Sequence, residues 1–320
     1  MGKLRDYIPA LKYGHKIEMS DTAGIGVKPY VGNIYYVDAD SGSDTANSGT
    51  SWNDAFATLG AAYTACTTNN YDMIVVAPNG TSSTTESAIA WSKNHITTIG
   101  ASAYSPFSPR SRALWKTADD SPALTISGQG NTFSNVQLGT FVDLNVLVSL
   151  TGDRNSFHGV HFAGIGDATA GDDAAARCIS MSGAEENYFN GCTIGLDTVA
   201  RSTTNAELEL ASGSTRNVFE GCRFVSFADN AGHLFVKAAS AADVDRFVEF
   251  KDCTFHNATN STATAMTVAM DLHASLGGSV LLFNSWLFGA TDWADDFTNV
   301  EVAGGVQATG ATAGLFVAAA

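Results

Sequence analysis

The chain has 320 residues, 45% of them hydrophobic, with 31 Gly, 6 Pro, 5 Cys and a formal net charge of −15. That composition excludes a disordered or collagen-like chain. Its acidity argues against nucleic acid as a partner, and against polyanionic substrates unless cations intervene.

Residues 1–33 stand apart. They carry Lys3, Arg5, Lys12, Lys16 and Lys28 against Asp6, Glu18 and Asp21, a balance of +2 that leaves −17 on the remainder. Leu4, Tyr7, Ile8, Leu11 and Ile17 are scattered among these charges without a strand or helix period, so the segment cannot build a core of its own. No apolar signal core and no run of 18 apolar residues is present, which predicts neither secretion nor a membrane span.

Residues 34–80 read as a strand at Ile34-Tyr-Tyr-Val-Asp38, a turn-rich loop from Asp40 to Gly49, and a helix from about Asn53 to Cys66. The helix would be capped by Ser51, with Phe56, Leu59, Tyr63 and Cys66 on one stripe. A buried strand follows at Asp72-Met-Ile-Val-Val-Ala77, closed by Pro78-Asn79-Gly80. Short strands continue at Ile96-Thr-Thr-Ile99 and Ala123-Leu-Thr-Ile126.

From residue 131 one phrase recurs six times: Phe, two small or polar residues, Val or Cys, a polar residue, then a large apolar one. The copies begin at Phe133, Phe157, Phe189, Phe219, Phe250 and Phe283, at spacings of 24, 32, 30, 31 and 33 residues. A strand-like unit at such a period predicts stacked coils, each too small to bury its own apolar face. Side chains alternate along a strand, so Val136, Cys192 and Cys222 share the inner face with the apolar residue two places on. The residue between them (Gln137, His161, Thr193, Arg223, Thr254) then faces solvent. The sixth copy breaks the pattern with Leu287. Each Phe should fill the interior next to a tight corner, and Cys192, Cys222 and Cys253 should form an interior ladder of free thiols. The pattern dissolves after residue 290, and residues 301–320 are Ala/Gly-rich with few charges.

Several stretches resemble a known family. Tyr36-Val-Asp38, Gly42-Ser-Asp44, Gly49-Thr-Ser-Trp52, Ala55-Phe-Ala-Thr58 and Asp72-Met-Ile-Val-Val-Ala-Pro78 are similar to the N-terminal cap of pectate-lyase-like proteins, and His95-Ile-Thr-Thr-Ile-Gly-Ala101 to one of their early coils. The resemblance implies an all-β fold, a right-handed parallel β-helix (a pectin-lyase-like solenoid) over roughly residues 34–300 with a capping helix at 34–80. Residues 1–16, from Met1-Gly-Lys-Leu-Arg-Asp to Gly-His-Lys16, resemble β-helical virion proteins of tailed bacteriophages. That likeness implies a homotrimeric, head-associated structural protein on the capsid surface, assembled in a host cytoplasm. Its attachment arm would use Lys3, Leu4, Arg5, Tyr7, Ile8, Leu11, Lys12 and Lys16 against the major capsid protein or another virion protein.

Candidate chemistry is sparse. Pectate-lyase-like enzymes cluster Asp around Ca²⁺ with an Arg base, and related hydrolases pair carboxylates on adjacent coils. The acidic pairs Asp119-Asp120, Asp172-Asp173, Glu185-Glu186 and Asp295-Asp296 fall in loops at unmatched phases of the repeat, so no matched carboxylates are expected. His158 and His161, three apart, would face opposite sides of a strand and share no metal. No P-loop, dinucleotide fingerprint or C-x-x-C is present, and no cofactor is expected. The sequence therefore predicts a structural virion protein rather than an enzyme, a capsid decoration with neither nucleic acid nor membrane as partner. Two alternatives stand beside it: a tailspike or fibre that recognises host surface glycan, with or without cleaving it, and a free polysaccharide lyase or hydrolase.

Overall fold

The computed structural model describes residues 32–78, 85–102, 113–117, 122–140, 142–143, 145–257 and 263–304. The attachment residues Lys3 to Lys16, the pair Asp119-Asp120 and residues 305–320 lie outside them.

Three parallel sheets run the length of the chain. The first has ten strands, from Ile34–Val37 to Val300–Ala303. The second has nine, from Thr85–Glu86 to Trp286–Phe288, and the third has eight, from Ile89–Trp91 to Ala290–Ala294. From Met73–Val76 onward each coil visits the first, second and third sheet in turn, so these strands pair with their equivalents one coil away; the turn before that runs from Ile34–Val37 through the N-terminal helix instead, and the short strand Ala200–Arg201 pairs off this path with Arg223–Ala228. The protein is a parallel β-helix.

Two corners in each coil explain why this sequence winds. Between the first and second sheets, Asn135, Gly159, Gly191, Gly221, Asp252, Asn284 and Gly304 all adopt positive φ, from 44° to 80°. Gly adopts that conformation at the least cost, and Asn or Asp next. The tight corner fixes the register, and the Phe just before it points inward. Phe133, Phe157, Phe189, Phe219 and Phe250 have no solvent exposure and stack in order, with successive centroids 5.4, 4.6, 4.4 and 5.0 Å apart.

The thiols follow the same order. Cys192, Cys222 and Cys253 are free and buried, and each donates to the Phe carbonyl one coil back: Phe157 O at 3.3 Å, Phe189 O at 3.4 Å and Phe219 O at 3.2 Å. Burial pushes the Cys222 thiol well above its usual range, which suits packing rather than reactivity.

The other corner, between the third and first sheets, is held by a buried asparagine ladder. Asn155 Oδ1 accepts from Asn131 N, Asn187 Oδ1 from Asn155 N, and Asn217 Oδ1 from Asn187 N, each at 2.9 Å. Each Asn lies two residues before a ladder Phe. The recurring Asn-x-Phe (Asn131, Asn155, Asn187, Asn217) is a sequence signal that the six-copy phrase, beginning at Phe, leaves out.

Three sequence expectations need correction. The sixth copy is shifted by one residue. Leu282, not Phe283, pairs with Phe250 in register, and Ser285 and Leu287 take the inner Cys and apolar positions. Ser285 Oγ donates to Phe250 O at 3.3 Å, as the thiols do one coil earlier. Phe283 is turned outward and half-buried. Second, Gln137, His161 and Thr193 are buried although they occupy the outer face of the second sheet. His161 Nε2 lies 3.0 Å from Gly195 O, where the loop leaving that sheet turns over it. Third, the N-terminal helix is shorter than expected. A single 3₁₀ turn at Trp52–Asp54 is followed by a break, and the α-helix spans only Leu59–Ala65. Its cap is Thr58, whose side chain accepts from Ala61 N; Ser51 makes no capping bond. The stripe still buries Phe56, Leu59, Tyr63 and Cys66. Tyr63 stacks 4.3 Å from Trp91, at the start of the Phe column.

Candidate functional site

In a solenoid the outward positions of successive strands form lines about 4.8 Å per step, so side chains far apart in sequence meet on them. On the first sheet, Tyr188 donates to Glu220 at 2.6 Å, Lys251 donates to the other oxygen of Glu220 at 2.7 Å, and Asn190 donates to the Tyr188 hydroxyl at 3.0 Å. The Lys251 and Tyr188 bonds hold the Glu220 carboxyl below its usual range, and the Glu220 bond raises Lys251 and Tyr188. At the adjoining corner Arg216 contacts Glu185 at 2.6 Å and Glu186 at 2.9 Å, and Arg154 contacts Glu186 at 2.7 Å. The sequence pair Glu185-Glu186 is thus engaged by arginines of the coils on either side.

The third sheet carries a different line. Ser149, Ser180, Glu209, Lys237 and Asp271 are in register, and Asp295 follows on the next coil, because Met270 pairs with Ala294. Arg177 donates to Glu209 at 3.3 Å. Asp271 and Asp295 form the matched carboxylate pair that the sequence reading did not expect. Partial burial and the neighbouring Asp295 carboxylate raise the Asp271 carboxyl, with Lys237 opposing. Asp295 is exposed and accepts from Leu272 N at 2.8 Å. The two residues are 24 apart, a separation that no local motif marks.

A third cluster is wholly enclosed, where loops cross from the second sheet to the third. Arg201 Nε donates to Glu207 Oε1 at 3.1 Å, and Cys178 Sγ donates to Glu207 Oε2 at 2.8 Å. The remaining Arg201 N–H groups reach Ile165 O, Val199 O and Leu196 O. His233 Nδ1 lies 2.7 Å from Asn205 Oδ1, while Asn205 Nδ2 donates to Gly171 O and Asp173 O. That leaves Nδ1 as donor, so Nε2 accepts from the Ser226 hydroxyl at 2.7 Å. Burial holds the imidazole below its usual range, and it is neutral. Burial alone would raise Glu207, but the Arg201 guanidinium, helped by the hydrogen bond from the Cys178 thiol, outweighs it and draws the carboxyl down to about 2. Closed to water and charge-balanced, the cluster ties the loops around residues 164–176, 195–205 and 226–233 to one another. It is a scaffold for those loops rather than a reaction centre.

Other candidates resolve simply. His158 lies on the first sheet, edge-on to Tyr188, and His161 on the second, so the corner at Gly159 separates them. Asp172 and Asp173 close the short helix Ala168–Gly171. A cavity of about 560 Å³ beside the N-terminal helix is lined by Asp44, Glu86 and Ala90 among others. Its carboxylates already serve the helix start: Glu86 accepts from Leu59 N and Gly60 N, and Asp44 from Ala57 N and Thr58 N. Among the described residues, no group of three or more His, Cys, Asp or Glu could hold a metal ion, and no helix is long and apolar enough to cross a membrane.

No protein-family model matches the chain, and comparison with curated proteins found no match. Solved structures do match it. The chain resembles a pectate lyase (TM-score 0.55, 15% identity, covering 81% of this chain and 64% of that one). It also resembles a pectin methylesterase in complex with a hexasaccharide (TM-score 0.53, 13% identity, 81% and 80% covered). A third neighbour is the pectin methylesterase PemA from Erwinia chrysanthemi (TM-score 0.51, 13% identity, 81% and 80% covered). At these identities the likeness is one of fold: a pectate-lyase-like parallel β-helix.

Proposed function

We propose that the chain is a structural virion protein of a tailed phage, a capsid-decorating β-helix held to the head by residues 1–33. One observation carries this reading: on the outer faces, charged groups of adjacent coils pair with one another. Arg154, Glu186, Arg216 and Glu185 form one such set, and Tyr188, Glu220 and Lys251 another. Side chains engaged in this way stiffen the stack along its axis and are poorly placed to converge on a substrate. A rod of this kind needs only an attachment point. The segment with the opposite charge balance, +2 against −17, offers one suited to an acidic partner surface. The fold hosts unrelated functions, so the argument rests on these residues.

The test is location. Antibody labelling of virions should mark the head, and deletion of residues 1–30 should leave a folded, soluble β-helix that no longer joins the capsid. Changing Lys3, Arg5, Lys12 and Lys16 together to Glu should weaken attachment, and attachment of the intact protein should be salt-sensitive. Labelling of the tail, or decoration by the truncated chain, would overturn the reading.

The Asp271–Asp295 pair favours a second reading, a protein that recognises or cleaves host surface glycan. Paired carboxyls with one raised pKa are the equipment of glycoside hydrolysis, and the structural neighbours include carbohydrate-active enzymes. Release of reducing ends or unsaturated sugars from host capsule or lipopolysaccharide, abolished by Asp271→Asn, would establish it over the first.

A further inference from the structure

The one-residue shift in the sixth copy has a consequence on the surface. In the five earlier copies the outward residue before the corner is Ser134, His158, Asn190, Glu220 or Lys251, and the first outward residue after it is Gln137, His161, Thr193, Arg223 or Thr254. All ten are polar. In the sixth copy the same two positions hold Phe283, in register with Lys251, and Trp286, in register with Thr254. Phe288 lies two residues further along the same strand, edge-on to His256. Leu282, Ser285 and Leu287 take the inner positions, so none of the three aromatics is needed to fill the core. Trp286 is 44% exposed, the most exposed large hydrophobic among the described residues. Three outward-facing aromatics at one corner, where the two corner positions of the five preceding copies are all polar, mark a contact site.

Charge decides what can cover it. In a symmetric assembly built around an axis through this corner, each residue lies close to its own equivalent. A chain at −15 repels itself over most of its surface. The last turns of the third sheet, with Asp271, Asp292 and Asp295, would bring like charges together. The three aromatics carry no charge, and of the charged groups one coil below, Lys251 is paired with Glu220 at 2.7 Å while Asp252 keeps its charge and accepts from Asn284 Nδ2 at 2.6 Å. Further down, the corner is glycine at Gly159, Gly191 and Gly221, where neighbouring backbones can approach closely. The chain also leaves the described coils here: Gly304 packs on Asn284, and Asn284 N donates to Ala303 O at 3.0 Å. Residues 305–320, which contain no charged side chain, follow directly.

We propose that the corner formed by Phe283, Trp286 and Phe288 is the self-association surface of this protein, where a second copy packs corner to corner in a parallel, symmetric homo-oligomer.

The experiment is light scattering with sedimentation velocity on the full chain at micromolar concentration. The wild type should sediment at a multiple of the monomer mass. Trp286→Glu should raise the dissociation constant by at least about tenfold while circular dichroism and melting temperature stay unchanged, and Phe283→Ser should act in the same direction. Thr254→Cys should cross-link between copies on oxidation, because all five native thiols are buried. A monomeric wild type overturns the proposal. So does an oligomer indifferent to Trp286→Glu, including one abolished only by removing residues 305–320, which would assign association to that segment.

Discussion

Arg201 and Glu207 meet at 3.1 Å, Nε to Oε1, with neither side chain reaching solvent. Six residues apart in sequence, they close the loop between them onto the third sheet, and Ile165 O and Cys178 Sγ bring the preceding coil into the same cluster. A buried pair of this kind need not add stability over an apolar pair of equal volume, but breaking it leaves an uncompensated interior charge.

Arg201→Met or Glu207→Gln alone should therefore cost about 3–5 kcal/mol in a denaturant titration, and replacing both residues by apolar ones should cost much less than the two single losses combined. Acid dependence follows from the carboxyl. The Glu207 pKa is lowered on folding to about 2, so the unfolded chain takes up its proton first. The stability it contributes is fully present above the ordinary glutamate range and is lost as pH falls towards the folded value. The difference in stability between wild type and Glu207→Gln should narrow over that window.

Asp271 has the opposite sign. Its carboxyl is raised on folding by partial burial and by Asp295, so its favourable contribution is present below the ordinary aspartate range and is lost as pH rises through the folded value. Asp271→Asn should raise the melting temperature at neutral pH and make little difference in acid. A melting temperature lowered at neutral pH by this substitution would show that ionised Asp271 is held by stronger partners than Lys237.

The Phe column and the shifted sixth copy make a paired test. Phe219→Ala removes a fully buried ring stacked 4.4 Å from Phe189 and 5.0 Å from Phe250, and should cost about 3–5 kcal/mol. Phe283→Ala, outside the column, should cost far less in the isolated monomer. Equal losses by chemical denaturation would mean that the register of the last coil is wrong.

The asparagine ladder offers an independent check. Asn187→Ala leaves the buried Asn155 N–H without its acceptor and should cost about 1–3 kcal/mol. Amide exchange of Asn155 should accelerate before that of the Phe157 strand interior.

The sequence by itself determined the coil. A strand has period two, and the corner demands Gly, Asn or Asp at positive φ, so Phe157-His-Gly-Val160 or Phe219-Glu-Gly-Cys222 states its own inward face and its own bend within four residues. Repetition of that statement makes a stack, because no single coil can bury its apolar face. Asn-x-Phe was equally local and available. The sixth copy misleads because Phe283 and Leu282 are adjacent and both apolar. Only pairing with Phe250 on the coil below selects Leu282, and that selection turns Phe283 and Trp286 outward. The same holds for Asp271 with Asp295, and for Arg201 with Glu207, Cys178 and His233. Coil lengths vary, so sequence separation does not reveal which side chains share a line or a junction. Stacking decided those meetings, since inter-coil hydrogen bonding fixes register only once each loop has taken up its excess length.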